Sequence, residues 1–251
     1  MHIALRLYMK KAVIMEQDQL WSGGPVLLQS ENVFKLGTDS VLLADFALGI
    51  RAERAADLGC GCGVIAVALA CQKDIEIDAI DISEAAAELT RRNVSLNGLD
   101  SKINVICGDI RRHRELFQAG AYDLVVTNPP YFADGSGKTV SAEAMALARG
   151  ERECTLSDIV EAAAYLMRWG GSFAIVYRPE RLSELFCTMT AAGIEPKRLR
   201  MVQYKAHSAP NMVLVEGRRG GRTGLKIEPP LIMTHLDGSD TEEIKRIYRR
   251  L

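Results

Sequence analysis

The sequence predicts an α/β fold in which helices cover both faces of a mostly parallel sheet. Short apolar runs alternate with amphipathic runs over most of the 251 residues, which is typical of strands joined by helical crossovers. The glycine-rich turn DLGCGCG at 57–63 lies between a predicted strand and a predicted helix. Asp81 and Asp109 end the next two apolar runs. Since ligands of open α/β sheets bind at the carboxyl ends of strands, these features predict a binding site there.

Each run predicts one element. The predicted strands lie at 54–59, 75–81, 103–109, 121–128, 172–177, 197–204 and 211–217. The predicted helices lie at 38–48, 64–72, 83–97, 155–168 and 181–192. A capping box at Thr155 and a glycine at 98 mark two of the helix ends. The short link between the last two strands predicts an antiparallel pair at the sheet edge.

The composition favours one globular domain, because 48% of the residues are hydrophobic. We expect a single domain over 1–251, with an N-terminal extension at 1–50 that packs near the binding site, a core at 51–217 and a C-terminal extension at 218–251. A monomer is favoured. The chain has no apolar run of about 18 residues and no clear cleavage site near its start, so we expect a cytoplasmic protein without a membrane span. The six cysteines form no C-x-x-C pair and have no histidine at metal-ligand spacing, so no metal site is predicted.

The net charge of −1 does not indicate a nucleic-acid binder, but the segment 195–226 is strongly basic. Only Glu195 and Glu216 oppose its cations, which leaves a local balance of +6. The cations are Lys197, Arg198, Arg200, Lys205, Arg218, Arg219, Arg222 and Lys226. Either a solvated face or a surface for phosphate groups explains such a run.

The glycine turn has the spacing G-x-G-x-G at 59, 61 and 63. Glycines at such a turn let the backbone bend tightly and approach a ligand closely. A dinucleotide fingerprint needs a further glycine at 64, where Val64 stands, and the Lys-Ser/Thr end of a phosphate-binding loop is also missing. The turn therefore disfavours both of those ligand classes, while a purely structural turn stays open.

The two aspartates that end strands have a functional and a structural interpretation. Asp81 can accept two hydrogen bonds from a ribose diol, or it can cap the next helix, although Ser83 can fill that cap instead. Asp109 can accept a hydrogen bond from an adenine amino group, with Ile110 beside the ring, or it can form a turn.

The stretch LVVTNPPY at 124–131 ends a predicted strand in two prolines. Proline donates no backbone hydrogen bond and fixes φ, so the simplest interpretation is a strand end and a turn. A long connection at 132–150 follows directly, and connections of this length are often lids or binding loops.

Four motifs in one order, DLGCGCG, Asp81, GDI at 108–110 and NPPY at 128–131, resemble the S-adenosylmethionine-dependent methyltransferases with a seven-stranded Rossmann-like sheet. The resemblance covers 50–217. It implies that the glycine turn cradles the cofactor, that Asp81 binds its ribose and that Asp109 meets its adenine. NPPY is the signature of amino-methyltransferases in that class. The cofactor residues that it implies are Asp57, Gly59, Gly61, Gly63, Asp81, Ile82, Asp109, Ile110 and Asn128.

The segments 23–47, 151–182 and 228–244 resemble the bacterial tRNA (adenine-N6) methyltransferases, which modify the adenine beside the anticodon of a valine tRNA. This resemblance implies a tRNA partner and places Thr38 and Asp39 over the cofactor. It implies that the Asn128 side-chain oxygen and the Pro129 carbonyl accept the two hydrogens of an adenine N6 amine.

The same resemblance assigns further roles to the residues around NPPY. Pro129 and Pro130 would fix the backbone, and Tyr131 would stack on the base. The expected catalytic residues are Asn128, Pro129, Pro130 and Tyr131, and the expected substrate contacts are Tyr131, Phe132, Arg149, Arg218, Arg219 and Arg222.

Three alternatives remain open at this point. Release-factor glutamine methyltransferases also use NPPY, but they carry a substantial N-terminal helical domain, and here only about 50 residues precede the glycine turn. A non-catalytic RNA-binding module that retains the fold is disfavoured by the complete set of Asp57, Asp81, Asp109 and Asn128. A small-molecule N-methyltransferase is disfavoured by the basic segment.

Overall fold

The computed structural model describes residues 15–30, 37–129 and 154–249. The strands are β1 Met15–Gln19, β2 Val26–Ser30, β3 Arg54–Leu58, β4 Glu76–Asp81, β5 Ile103–Cys107, β6 Tyr122–Thr127, β7 Met167–Tyr177, β8 Ile194–Gln203, β9 Pro210–Arg219 and β10 Lys226–Ile232. The helices are α1 Thr38–Leu48, α2 Val64–Ala70, α3 Glu84–Leu96, α4 His113–Leu116, α5 Leu156–Leu166, α6 Leu182–Ala191 and α7 Glu242–Ile247.

Eight strands form the main sheet, in the order β10-β8-β9-β7-β6-β3-β4-β5. The neighbours from β7 to β5 are all parallel, whereas β9 is antiparallel to both β7 and β8. The predicted α/β class and the antiparallel pair are therefore confirmed. The chain first adds β4 and β5 on one side of β3 and then returns to add β6 and β7 on the other.

The sheet has one strand more than the seven predicted, and the antiparallel pair is not at its edge. β10 pairs parallel to β8 and forms that edge. Its sequence KIEPPLI contains two prolines and lacks the polar–apolar alternation that would predict a strand. The register shifts between Glu228 and Leu231, across the two prolines, and an edge strand tolerates proline because one side needs no donor.

Strand β7 begins earlier than predicted. It starts at Met167, directly after α5, whereas the sequence predicted a helix to 168 and a strand only from 172. Gly170 has φ +78°, and the pairing of β7 with β6 shifts register in this region. The glycines thus form an irregularity within the strand instead of ending the helix, as bulges do.

The core consists of two layers, one on each face of the sheet. Leu124 and Val126 of β6 pack in the layer formed with α1, α2 and α3, whereas Val125 packs in the layer formed with α5 and α6. This alternation follows the two-residue period of a strand. Because the sheet is covered on both faces, its central strands are mostly apolar, as expected for a parallel sheet, and their few polar side chains include the buried Asp57 and Asp78.

The parallel strands bring the predicted site residues to one edge of the sheet. Leu58 of β3 pairs with Thr127 of β6, and Asp81 of β4 pairs with Cys107 of β5. The glycine turn, Asp81, Asp109 and Asn128 therefore all follow the carboxyl ends of adjacent strands. Among the described ranges, no helix has the length and apolar character that a membrane span requires.

Candidate active site

The glycine turn connects β3 to α2 through three left-handed residues. Gly59, Gly61 and Gly63 have φ of +72°, +57° and +83°. A Cβ atom added at Gly59 or Gly61 would meet no other atom within 4 Å, but one at Gly63 would lie 2.8 Å from the Thr90 Cγ2 atom. The first two glycines therefore leave open space at the sheet edge, and the third allows α2 to pack closely against α3.

Helix α3 holds this turn in place through two buried side chains. The Thr90 hydroxyl donates to the Gly61 carbonyl at 2.8 Å, and the Asn93 Nδ2 donates to the Cys62 carbonyl at 2.8 Å. The Gly61 N–H in turn donates to the Asp81 carboxylate at 2.9 Å. The turn is thus fixed from both sides, which is the preorganisation that a ligand site needs.

Asp57 is completely buried at the end of β3. One oxygen accepts a hydrogen bond from the Ala66 N–H at 3.2 Å, while Oδ1 has no partner among the described residues. Burial raises the pKa of Asp57 to about 7, an effect that the Ala66 hydrogen bond reduces and the Asp81 charge reinforces. A buried carboxylate oxygen without a partner fits a cationic ligand group, such as the ammonium of an amino acid.

Asp81 lies at the end of β4 beside the turn. Its carboxylate accepts hydrogen bonds from the N–H groups of Gly61 and Ser83, each at 2.9 Å. Burial raises the pKa of this carboxyl group. Ser83 forms the N-cap of α3 by accepting from the Ala86 N–H, so Asp81 is not needed as the cap. Its oxygens have further lone pairs with which to accept from a diol.

In the structure Asp109 forms a turn, which was one of the two roles predicted for it. It caps the 3₁₀ turn Ile110–Arg112 and accepts from both the Arg111 N–H and the Arg111 guanidinium. The guanidinium hydrogen bonds hold the pKa of this carboxyl below its usual value. The adenine contact remains a prediction, and it would share the carboxylate with Arg111. The nearby Ile82 side chain is 63% exposed, which leaves an apolar surface at the same edge.

Asn128 follows β6 directly and is half-buried. Its Nδ2 donates a hydrogen bond to the Ser40 hydroxyl at 2.9 Å. Ser40 belongs to the first turn of α1, together with Thr38 and Asp39. The structure therefore places the predicted cofactor residues of α1 beside Asn128. Pro129 is buried, whereas the predicted contacts at 130, 131, 132 and 149 lie outside the described residues.

Two arginines of the basic segment 195–226 have structural roles inside the protein. Arg198 bonds Glu216 at 2.8 Å and lies over the Phe46 ring, and Arg200 forms a two-pronged pair with Glu243. The structure uses these two arginines to join strands and helices.

The predicted RNA contacts Arg218, Arg219 and Arg222 lie towards the amino ends of the parallel strands. Asn128, by contrast, follows the carboxyl end of β6. Arg218 of β9 pairs with Ser172 of β7, whereas β7 pairs with the end of β6 at Ile175. Three strand residues separate these positions, or about 10 Å along the strand. Arg219 donates to the Met167 carbonyl at the beginning of β7.

Ser40, Thr90 and Asn93 belong to the site but were not predicted from the sequence. Thr90 and Asn93 are three residues apart on α3 and fully buried, so they share its core-facing side. The sequence did contain a signal for these two residues. Polar residues on the buried side of an amphipathic helix need hydrogen-bond partners, which predicts a contact with a neighbouring loop. Within the described residues, no group of three or more His, Cys, Asp or Glu side chains could hold a metal ion.

Similarity to known proteins agrees with this geometry. Residues 29–190 match the family model of the methyltransferase small domain. The chain is 34% identical to a tRNA1(Val) (adenine(37)-N6)-methyltransferase of Tolumonas auensis, over 74% of this chain and 77% of that protein. A second enzyme of that name, from Aeromonas salmonicida, is 33% identical over 74% and 77% of the two chains.

Solved structures share the fold at lower sequence identity. A predicted O-methyltransferase from Agrobacterium tumefaciens superposes with a TM-score of 0.68 at 22% identity, covering 84% of this chain and 96% of that one. A putative RNA methyltransferase from Pyrococcus horikoshii superposes with a TM-score of 0.55 at 16% identity, covering 75% and 87%. The glycine turn, the unpartnered Asp57 oxygen and the apolar surface at Ile82 fit S-adenosylmethionine, and the predicted methyltransferase activity and cofactor are confirmed. This chain belongs to the methyltransferase small-domain family.

Proposed function

We propose that this protein transfers a methyl group from S-adenosylmethionine to the N6 amine of an adenine in tRNA. The observation that carries the proposal is the position of Asn128, directly after β6 and beside both α1 and the neighbouring glycine turn. Two relatives at 33–34% identity are named for this reaction at adenine 37 of tRNA1(Val), and we propose the same nucleotide here. A tRNA substrate would place the enzyme in the cytoplasm.

The proposed reaction requires the protein to activate a weak nucleophile. The lone pair of an adenine N6 amine delocalises into the ring. If the Asn128 Oδ1 and the Pro129 carbonyl accept its two hydrogens, the nitrogen becomes more tetrahedral and its lone pair points away from the ring. S-adenosylmethionine would supply the methyl group from its sulfonium and leave as the neutral thioether S-adenosylhomocysteine, while the methylated amine loses one proton to solvent. Pro129 and Pro130 would keep the carbonyl aimed, and Tyr131 would stack on the base, which is worth ~1–3 kcal/mol.

We assign the cofactor to the edge that the glycine turn opens. Gly59 and Gly61 leave space for close approach, and Asp57 would receive the ammonium of the cofactor. Asp81 would bind the ribose and Asp109 the adenine, with Ile82 and Ile110 beside the ring. Thr38 and Asp39 would close over the cofactor from α1.

The RNA contacts form two proposed groups. Tyr131, Phe132 and Arg149 follow the catalytic motif in the chain and would contact the target nucleotide and its neighbours. Arg218, Arg219 and Arg222 would bind phosphates farther along the RNA, because they lie towards the amino ends of the parallel strands.

The reaction is tested with bulk tRNA that lacks the modification. We expect incubation with enzyme and labelled S-adenosylmethionine to yield N6-methyladenosine in a valine tRNA, identified by nucleoside mass spectrometry. Label that enters only protein would redirect the assignment to a protein amide. No detectable cofactor binding in calorimetry would contradict the enzyme itself.

The role of Asn128 is tested by the substitution Asn128→Ala. We expect methyl transfer to fall by at least about 100-fold, as for other preorganised acceptors, because the amine loses one of its two hydrogen-bond acceptors. Cofactor affinity in calorimetry should remain close to that of the wild type. Near-normal turnover would refute the role.

A further inference from the structure

Ser40 is hydrogen-bonded to the Asn128 side-chain amide. The Asn128 Nδ2 donates to the Ser40 Oγ at 2.9 Å, although the two residues are 88 positions apart in the sequence. An amide carries an acceptor oxygen and a donor nitrogen of nearly equal size, so its two orientations differ mainly in their hydrogen bonds. In the structure the Ser40 Oγ accepts from Nδ2, which leaves Oδ1 on the other side of the amide.

The anchor itself is rigid. Ser40 lies in the first turn of α1 with only 7% of its surface exposed. The next residues, Val41, Leu42 and Leu43, are at most 3% exposed and pack in the core layer shared with α2. The Ser40 N–H also donates to the Asp39 Oδ1 at 3.0 Å. The buried helix therefore gives the hydroxyl a fixed backbone position from which to accept the Asn128 hydrogen bond.

We propose that Ser40 is a positioning residue for methyl transfer, and that it keeps the Asn128 Oδ1 directed at the acceptor amine. This inference rests on the proposed function, in which Oδ1 accepts an N6 hydrogen. If the amide turned over, Nδ2 would face the amine and present a donor to a donor. The pair would then repel instead of activating the nucleophile.

The main test compares Ser40→Ala in two backgrounds. In the wild-type background, we expect kcat to fall about three- to tenfold, the equivalent of one hydrogen bond, with little change in the KM for cofactor. In the Asn128→Asp background, the two carboxylate oxygens are equivalent, so orientation no longer matters. There the effect of Ser40→Ala should shrink to less than about twofold.

Two further variants separate positioning from stability. Ser40→Thr keeps the hydroxyl and should retain kcat within about twofold. Ser172→Ala removes another buried serine hydroxyl, which bonds Glu216 at 3.2 Å on the far part of the sheet, and should leave kcat unchanged. If Ser40→Ala lowers kcat equally in the wild-type and the Asn128→Asp backgrounds, Ser40 acts only through the fold, and the inference is overturned.

The contact can also be observed without any reaction. In protein labelled with ¹⁵N-asparagine, the Asn128 side-chain amide is the proton pair that disappears in Asn128→Asp. We expect one proton of that pair to shift upfield and exchange faster in Ser40→Ala. An unchanged pair would overturn the inference. If Ser40→Ala causes this shift but the wild-type enzyme does not methylate tRNA, the contact is supported and the proposed substrate is refuted.

Discussion

At the scale of single residues, Asp57 combines complete burial with an unpartnered carboxylate oxygen. Its pKa is raised from the ordinary 3.8 to about 7, mainly by burial. Between these pH values the folded state keeps a proton that the unfolded state has lost. Stability from this group therefore falls as pH rises from about 4 to about 7 and is constant above that window.

Asp57→Asn should remove that pH dependence. We expect the variant to unfold at a higher temperature than the wild type at pH 8, because no charge is buried, and at a similar temperature at pH 4. Affinity for S-adenosylmethionine should fall at least about tenfold, since a neutral amide cannot pair with its ammonium. Thermal unfolding at both pH values and calorimetry measure the two effects. A lower unfolding temperature at pH 8 would contradict this account of Asp57.

At the scale of elements, the close packing of α2 on α3 depends on Gly63. Its φ of +83° disfavours any side chain, and a Cβ atom there would lie 2.8 Å from the Thr90 methyl carbon. These two energetic costs of a side chain at 63 are independent, because one is backbone strain and the other is a steric clash with Thr90. Gly98, at the end of α3, has φ +65° with no atom within 4 Å of such a Cβ atom, so it carries only the first cost.

Gly63→Ala should therefore destabilise the fold more than Gly98→Ala. We expect the free energy of unfolding to fall by about 1–2 kcal/mol in Gly98→Ala, from the left-handed backbone alone. In Gly63→Ala we expect a further ~1–3 kcal/mol from overpacking. Adding Thr90→Ser should recover part of that excess, because it removes the methyl group and keeps the hydroxyl. Denaturant unfolding measures all three variants, and equal losses at the two glycines would argue against the contact.

The elements differ in how well the sequence predicts them. β6 and α3 were predicted almost to the residue, because a continuous apolar run indicates the central strand and an amphipathic period indicates the helix. β10 was missed because two prolines and a bulge hide an edge strand. Ser40 was missed for a different reason. Its hydrogen bond to Asn128 joins residues that are 88 positions apart in the sequence, and no local sequence pattern predicts such a contact.

At the scale of the whole molecule, the proposed phosphate contact Arg218 lies towards the amino ends of the parallel strands, whereas Asn128 follows their carboxyl ends. Arg218 and Arg222 lie far from Asn128, so they would affect binding but not the chemical step. Arg198 and Arg200 of the same basic segment are committed to internal pairs and do not contribute to such a surface.

Arg218→Glu/Arg222→Glu should weaken tRNA binding and flatten its salt dependence. The logarithmic slope should fall by about 1.4–1.8 for two lost phosphate contacts. Turnover at saturating tRNA should not change. Arg91→Glu/Arg92→Glu on α3 makes the same change in net charge elsewhere and serves as the control. If both double variants reduce affinity equally, only overall charge matters, and the assigned phosphate contacts are wrong.

The reversal of strand order on the two sides of β3 has a consequence for how such an enzyme can diversify. Most of the residues proposed for the methyl donor end or follow β3, β4 and β5, whereas Asn128, proposed for the acceptor amine, follows β6, and the chain after it leads to the remaining strands. Under the proposed assignments, donor and acceptor would be bound by opposite halves of one sheet that meet in a single crevice. A lineage, or an engineer, can replace the acceptor half to accept a new amine while the donor half stays the same.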